Sequence, residues 1–89
     1  MGDVANILAR HWADLRFINF EVILNELLVQ GIIQHHEYFE IVPRGARKKL
    51  LFLQQYLPQK GDNAFPTFIR ILREQGHGTL ASQLEAGES

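Results

Sequence analysis

Apolar residues recur along this chain at intervals of three and four, and no stretch of four or more residues alternates as a half-buried strand would. The pattern predicts an all-α protein. Val4, Ile7, Leu8, Trp12 and Leu15 share one face of a first helix, with Asp3 as its N-cap and an end near Phe17. Asn19 is placed to cap a second helix over about 20–30 that turns Ile23, Leu24, Leu27 and Leu28 inward, and Gly31 supplies its stop. A third, short helix over about 34–42 carries Tyr38, Phe39 and Ile41 as its apolar side and ends before Pro43, because a residue preceding proline avoids the α conformation.

The fourth predicted helix, about 44–57, places Ala46, Leu50, Leu53 and Leu57 on an inner stripe and is closed by Pro58 and Gly61. Asp62 then caps a fifth helix with Phe65, Phe68, Ile69 and Leu72 inward, and Pro66 falls in the first turn, where a missing amide costs little. Gly76 and Gly78 terminate it, and a last helix carries Leu80 and Leu84 before a tail, Glu85 to Ser89, expected to fray. Six helices joined by tight turns account for the chain. The aromatics Trp12, Phe39, Phe65 and Phe68 all fall on predicted inner faces, so they read as core and not as a platform for stacking bases.

Length narrows the functions available. The 89 residues suffice for one domain, spanning 1–89 with an ordered core of about 4–86. A domain of this size buries only about 60% of its unfolded surface, which disfavours a large substrate cleft. With no cysteine, the chain has no disulfide, thiol nucleophile or sulfur-ligated zinc, which suits a cytoplasmic protein. Its first residues lack a charged leader followed by an apolar run, so neither a signal peptide nor a membrane span is expected. No histidine pair has the i, i+4 spacing of a helical metal site, and His35 and His36 are adjacent. Ser82, His77 and Asp62 make a triad only on paper, because no nucleophile turn or oxyanion motif accompanies them. No catalytic, cofactor-binding or metal-binding residue is therefore expected, and the chain reads as a non-enzyme.

Charge changes the picture most. The net charge of −1 conceals a segregation by segment. Residues 17–40 carry Glu21, Glu26, Glu37 and Glu40 and no base, whereas residues 41–60 carry Arg44, Arg47, Lys48, Lys49 and Lys60 and no acid. Acids at Glu21 and Glu37, in predicted first turns, are explained by the helix dipole alone. The bases at 44–49 are not, since the same dipole disfavours a cation at a helix start by about 0.3 to 1 kcal/mol. Complementary patches of this kind steer proteins toward one another, and the near-neutral total disfavours nucleic acid as the partner. The outer face of the second helix, Val22, Asn25, Glu26 and Val29, adds a candidate apolar contact at Val22 and Val29.

From the fourth helix onward the chain resembles a known family. Leu57-Pro58, Lys60-Gly61, Ala64-Phe65, Phe68, Leu72, Gly76, Leu80-Ala81 and Leu84 stand at the spacings of a caspase-recruitment domain, one branch of the death-fold superfamily. Gly31-Ile32-Ile33, Tyr38 and Ile41 resemble that family's junction of second and third helices, and Phe65-Pro66-Thr67-Phe68-Ile69 with Leu80-Ala81-Ser82 resembles initiator-caspase prodomains. The likeness covers about residues 4–86. It implies a six-helix antiparallel Greek-key bundle that performs no chemistry. Its expected partners are other caspase-recruitment domains, in a caspase, an adaptor or a scaffold of apoptotic or inflammatory signalling, with self-assembly a further outcome. The family's charged contact maps its basic side to Arg10, Arg47 and Lys48, with Arg44 and Lys49 beside them, and its acidic side to Glu26, Glu37 and Glu40. Helix 1 has only two arginines and Leu51 and Phe52 follow the bases of helix 4, which implies an apolar component in that contact. A stand-alone decoy that blocks such assembly needs the same surface, and a small helical nucleic-acid binder using residues 44–49 is the alternative of another class.

Overall fold

The computed structural model describes residues 4–61 and 63–88. Among them every regular element is helical: α1 (Val4–Arg10), α2 (Trp12–Leu15), α3 (Phe20–Val29), α4 (His35–Ile41), α5 (Ala46–Tyr56), a 3-10 turn (Leu57–Gln59), α6 (Ala64–Glu74) and α7 (Gly78–Glu88). The expected caps at Asp3 and Asp62 lie outside the described residues.

The first predicted helix is interrupted. His11 has φ −105° and ψ 20°, and its N–H donates to Leu8 three residues back, at 3.2 Å. The chain then resumes as the single turn α2, with Leu8 and Leu15 both fully buried on either side of the break. The last helix departs the other way, continuing to Glu88 through the segment expected to fray.

The predicted stops are built as glycine chemistry requires. Beyond α3, Gly31 takes φ 78°, its N–H donates to Leu28 at 3.0 Å, and Ile32 N–H donates to Leu27 at 2.9 Å. That is a Schellman motif, which satisfies two end carbonyls only if the residue at the turn accepts a left-handed conformation. Gly76, at φ 87°, does the same after α6, with His77 N–H donating to Leu72 at 2.8 Å. At the start of α3, Asn19 Oδ1 accepts from Val22 N–H at 3.4 Å, the cap expected.

The core forms where these helices converge. α6 supplies Phe65, Phe68, Ile69 and Leu72 and packs on α7 and α3, while α1 packs on α5 and α7. Ile23, Leu24 and Leu27 of α3 and Leu50 and Leu53 of α5 complete it. Burying a side chain such as Phe68 contributes about 1.5 to 3 kcal/mol by the hydrophobic effect. Two predicted core positions are corrected. Phe39 is 69% exposed, and Ala46 is exposed as the first residue of α5, one turn before the buried stripe begins at Lys49 and Leu50. No helix among the described residues is long and apolar enough to cross a membrane.

Candidate protein-interaction surface

The basic segment folds as a turn and a helix start. Arg44 precedes α5, its N–H donating to Ile41 at 3.0 Å, and Gly45 is the N-cap without a side chain to offer. The first turn of α5 therefore holds Arg47, Lys48 and Lys49 and no acid. Arg44, Arg47 and Lys48 are exposed. Among the described residues the ion pairs are Lys60 with Glu37 and Arg73 with Glu85, so none of these three bases has an ion-pair partner among them.

Lys49 is different, and the expectation that it joins the basic surface is corrected. It is only 8% exposed, because at spacings of one, three and four residues it shares the buried side of the helix with Leu50, Phe52 and Leu53. Arg10, at the end of α1, is exposed. Its guanidinium lies against the last turn of α7, where a methyl group added at Gly87 would come within 3.7 Å of it. A cation is favoured at a helix C-terminus.

The acidic residues also separate into two kinds. Glu26 is half-buried on α3 and Glu40 is exposed on α4. Glu37 is not a free surface charge, a second correction, since it is 9% exposed and fully engaged. Its Oε1 accepts from Gln34 N–H at 2.8 Å, and Lys60 Nζ donates to its two oxygens at 2.8 and 2.9 Å. Lys60 also lies 5.5 Å from the centre of the Tyr56 ring. Desolvation pushes the Glu37 carboxyl upward. Lys60 and the Gln34 N–H outweigh it, with a smaller contribution from His36, and hold the pKa below the ordinary value. The carboxylate is thus charged and occupied, serving the start of α4.

Between α4 and α5 the two signs of charge meet in a groove of about 460 Å³. Glu37 and Glu40 lie on one wall and Arg44 and Lys48 on the other, over Ile41, Leu51 and Phe52. Leu51 is 45% exposed and Phe52 is buried, so of the two apolar residues after the bases Leu51 offers the contact surface. On α3 Val29 is 69% exposed and Val22 half-buried, so Val29 is the larger part of that candidate apolar contact.

One exposed feature carried no signal in the sequence. Phe17 is 74% exposed after α2, with the Arg16 guanidinium 4.8 Å from its ring centre and 5.6 Å from that of Trp12. The helical spacing left Phe17 outside every inner stripe, and nothing local separates a solvated aromatic from one that protrudes as a knob.

No group of three metal-ligating side chains occurs among the described residues, and Ser82, offered for a paper triad, lies beside Arg73 at 3.5 Å. No protein-family model, curated protein or solved structure matches the chain.

Proposed function

We propose that the chain is a caspase-recruitment domain of the death-fold superfamily, a six-helix antiparallel Greek-key bundle in which α1 and α2 count as one interrupted helix. Its function is to bind other caspase-recruitment domains and so bring signalling proteins of apoptosis or inflammation together. The observation that carries the reading is the exposed basic cluster Arg44, Arg47 and Lys48, without an ion-pair partner among the described residues, next to a segment whose charges are all acidic. Cations at the start of α5 cost the helix stability, so their placement there is explained by what they contact outside the molecule. The packing of α1 on α5 and α7, and of α3 on α6, supports the bundle.

The contact so formed uses Arg44, Arg47 and Lys48 against acids of the type of Glu26 and Glu40 on the partner. Each exposed pair is worth at most about 1 kcal/mol, so affinity requires several pairs and an apolar component, for which Val29 and Leu51 are suited. Reversing Arg47 to Glu is expected to abolish capture of a partner caspase-recruitment domain while leaving the helical circular dichroism spectrum intact and the Tm equal or higher, since an acid suits the first turn of α5. Binding that survives the reversal overturns the charged-face mechanism.

A further inference from the structure

Two exposed features, built by different elements, are complementary in charge and each has an apolar centre. One is a knob: Phe17, the most exposed large apolar residue described, with the Arg16 guanidinium stacked on its ring. Asp14 lies beside it, lining the same shallow concavity at the α6–α7 turn. The other is the α4–α5 groove, with Ile41, Leu51 and Phe52 as its apolar part, Glu40 on one wall and Arg44 and Lys48 on the other. Neither Glu40, Arg44 nor Lys48 forms an ion pair within the described residues. A groove with both signs of free charge suits an occupant that also carries both, flanking an apolar group.

We propose that the groove takes the Phe17 knob of a second copy of this chain. Phe17 enters against Leu51 and Phe52, Arg16 meets Glu40, and Asp14 meets Arg44 and Lys48. The groove volume lies within the range of about 300–1,000 Å³ that holds compact ligands, ample for one aromatic side chain with its flanking charges. No residue lining the concavity around Phe17 also lines the groove. The contact is therefore heterologous. It leaves one knob and one groove free on each pair of molecules and extends by repetition. It draws on Glu40, Arg44 and Lys48, which the charged-face association proposed above also uses, so the two contacts exclude each other at one groove, and it rests on that reading only for the premise that copies meet.

The test is a concentration series by sedimentation velocity on the intact protein and on Phe17→Ser, Leu51→Glu and Arg47→Glu, with circular dichroism on each. Wild type is expected to grow with concentration. Phe17→Ser and Leu51→Glu are each expected to weaken growth about tenfold or more, as loss of a central apolar anchor does. Mixed one to one, they are expected to form a discrete dimer and nothing larger, because one intact groove and one intact knob remain. Should Leu51→Glu lose its helical spectrum, Glu40→Arg replaces it as the groove variant, with growth restored when Arg16→Glu is added to the same chain. A monomeric wild type, undiminished growth of Phe17→Ser, or a mixture of folded variants that stays monomeric overturns the proposal. If Arg47→Glu, which lies outside the groove, alone abolishes growth while Phe17→Ser and Leu51→Glu do not, the charged-face reading stands and the knob contact falls. The converse keeps the knob contact and removes the charged-face reading.

Discussion

Lys60 and Glu37, 23 residues apart, form a two-pronged contact in which Nζ donates to both carboxylate oxygens at 2.8 and 2.9 Å. The same carboxylate accepts the Gln34 N–H at the start of α4, so one side chain caps a helix and anchors it to the turn after α5. This geometry fixes α4, and with it the wall of the groove that carries Glu40.

Replacing Lys60 by Met leaves the Glu37 carboxylate largely desolvated with only the Gln34 N–H to hold it. Stability is expected to fall by about 2 kcal/mol, the scale of a lost hydrogen bond to a charged group. For a domain of this size that lowers Tm by about 8 to 16 °C in a thermal melt. The pH dependence has a definite sign. The folded pKa of Glu37 lies below its ordinary 4.5, so the contribution of the ionised pair is complete above about 4.5 and is lost as pH falls through the folded value. Urea melts between pH 3 and 6 should show this acid loss in wild type and a flatter profile in Lys60→Met. An unchanged profile would mean that the pair does not couple to folding.

The exposed and buried phenylalanines should respond in opposite ways. Phe68, fully buried on α6, is expected to cost about 3 to 5 kcal/mol when truncated to alanine. Phe39 projects from α4, 69% exposed, with its ring edge-on to Tyr38 at 5.4 Å between centroids, and Phe39→Ser should stay within about 0.5 kcal/mol of wild type. Chemical denaturation of the two variants checks both. A large cost at Phe39 would place it in the core where helical spacing put it.

Gly31 and Gly76 should each lose about 1 to 2 kcal/mol on substitution by alanine. The cost is conformational, since a Cβ at either site meets no atom within 4 Å but must sit at positive φ. Gly45, at φ −73°, is the control, and Gly45→Ser should gain a few tenths of a kcal/mol by supplying the missing N-cap oxygen of α5. Equal losses at all three glycines in thermal melts would refute this account.

These glycines show which parts of the fold were legible in the sequence. Caps and stops depend on a residue and its near neighbours, so Asn19, Gly31 and Gly76 could be placed from local chemistry. Inner faces of the longer helices were legible too, because spacings of three and four over ten or eleven residues define one side. The break at His11 was not, since no glycine or proline marks it and the apolar spacing runs through it unbroken. On the seven-residue α4, Phe39 was misplaced because two turns do not fix a face, and a contact with Lys60 decides how that helix sits. Among the surface residues, charge sign and segment were readable, but burial was not. Lys49 and Glu37 carry the same charge as their free neighbours, and tertiary packing alone withdraws them from the surface.

Lys48 and Lys49 give the sharpest separation of surface from support. Lys48 is exposed on the groove wall and has no ion-pair partner among the described residues. Its reversal, Lys48→Glu, is expected to abolish binding while raising stability by about 0.5 to 1 kcal/mol, because an acid replaces a cation in the first turn of α5. At Lys49 the change to Glu replaces a long stem that can cover apolar surface by a shorter acid on the buried side of α5. It should destabilise the fold by about 1 to 3 kcal/mol, whereas Lys49→Met, which keeps the stem's length without the charge, should preserve both stability and binding. Thermal melts and partner capture on all three variants read the two effects independently. Loss of binding in a fully stable Lys49→Met would return Lys49 to the interaction surface and show that its charge, despite its burial, is used by the partner.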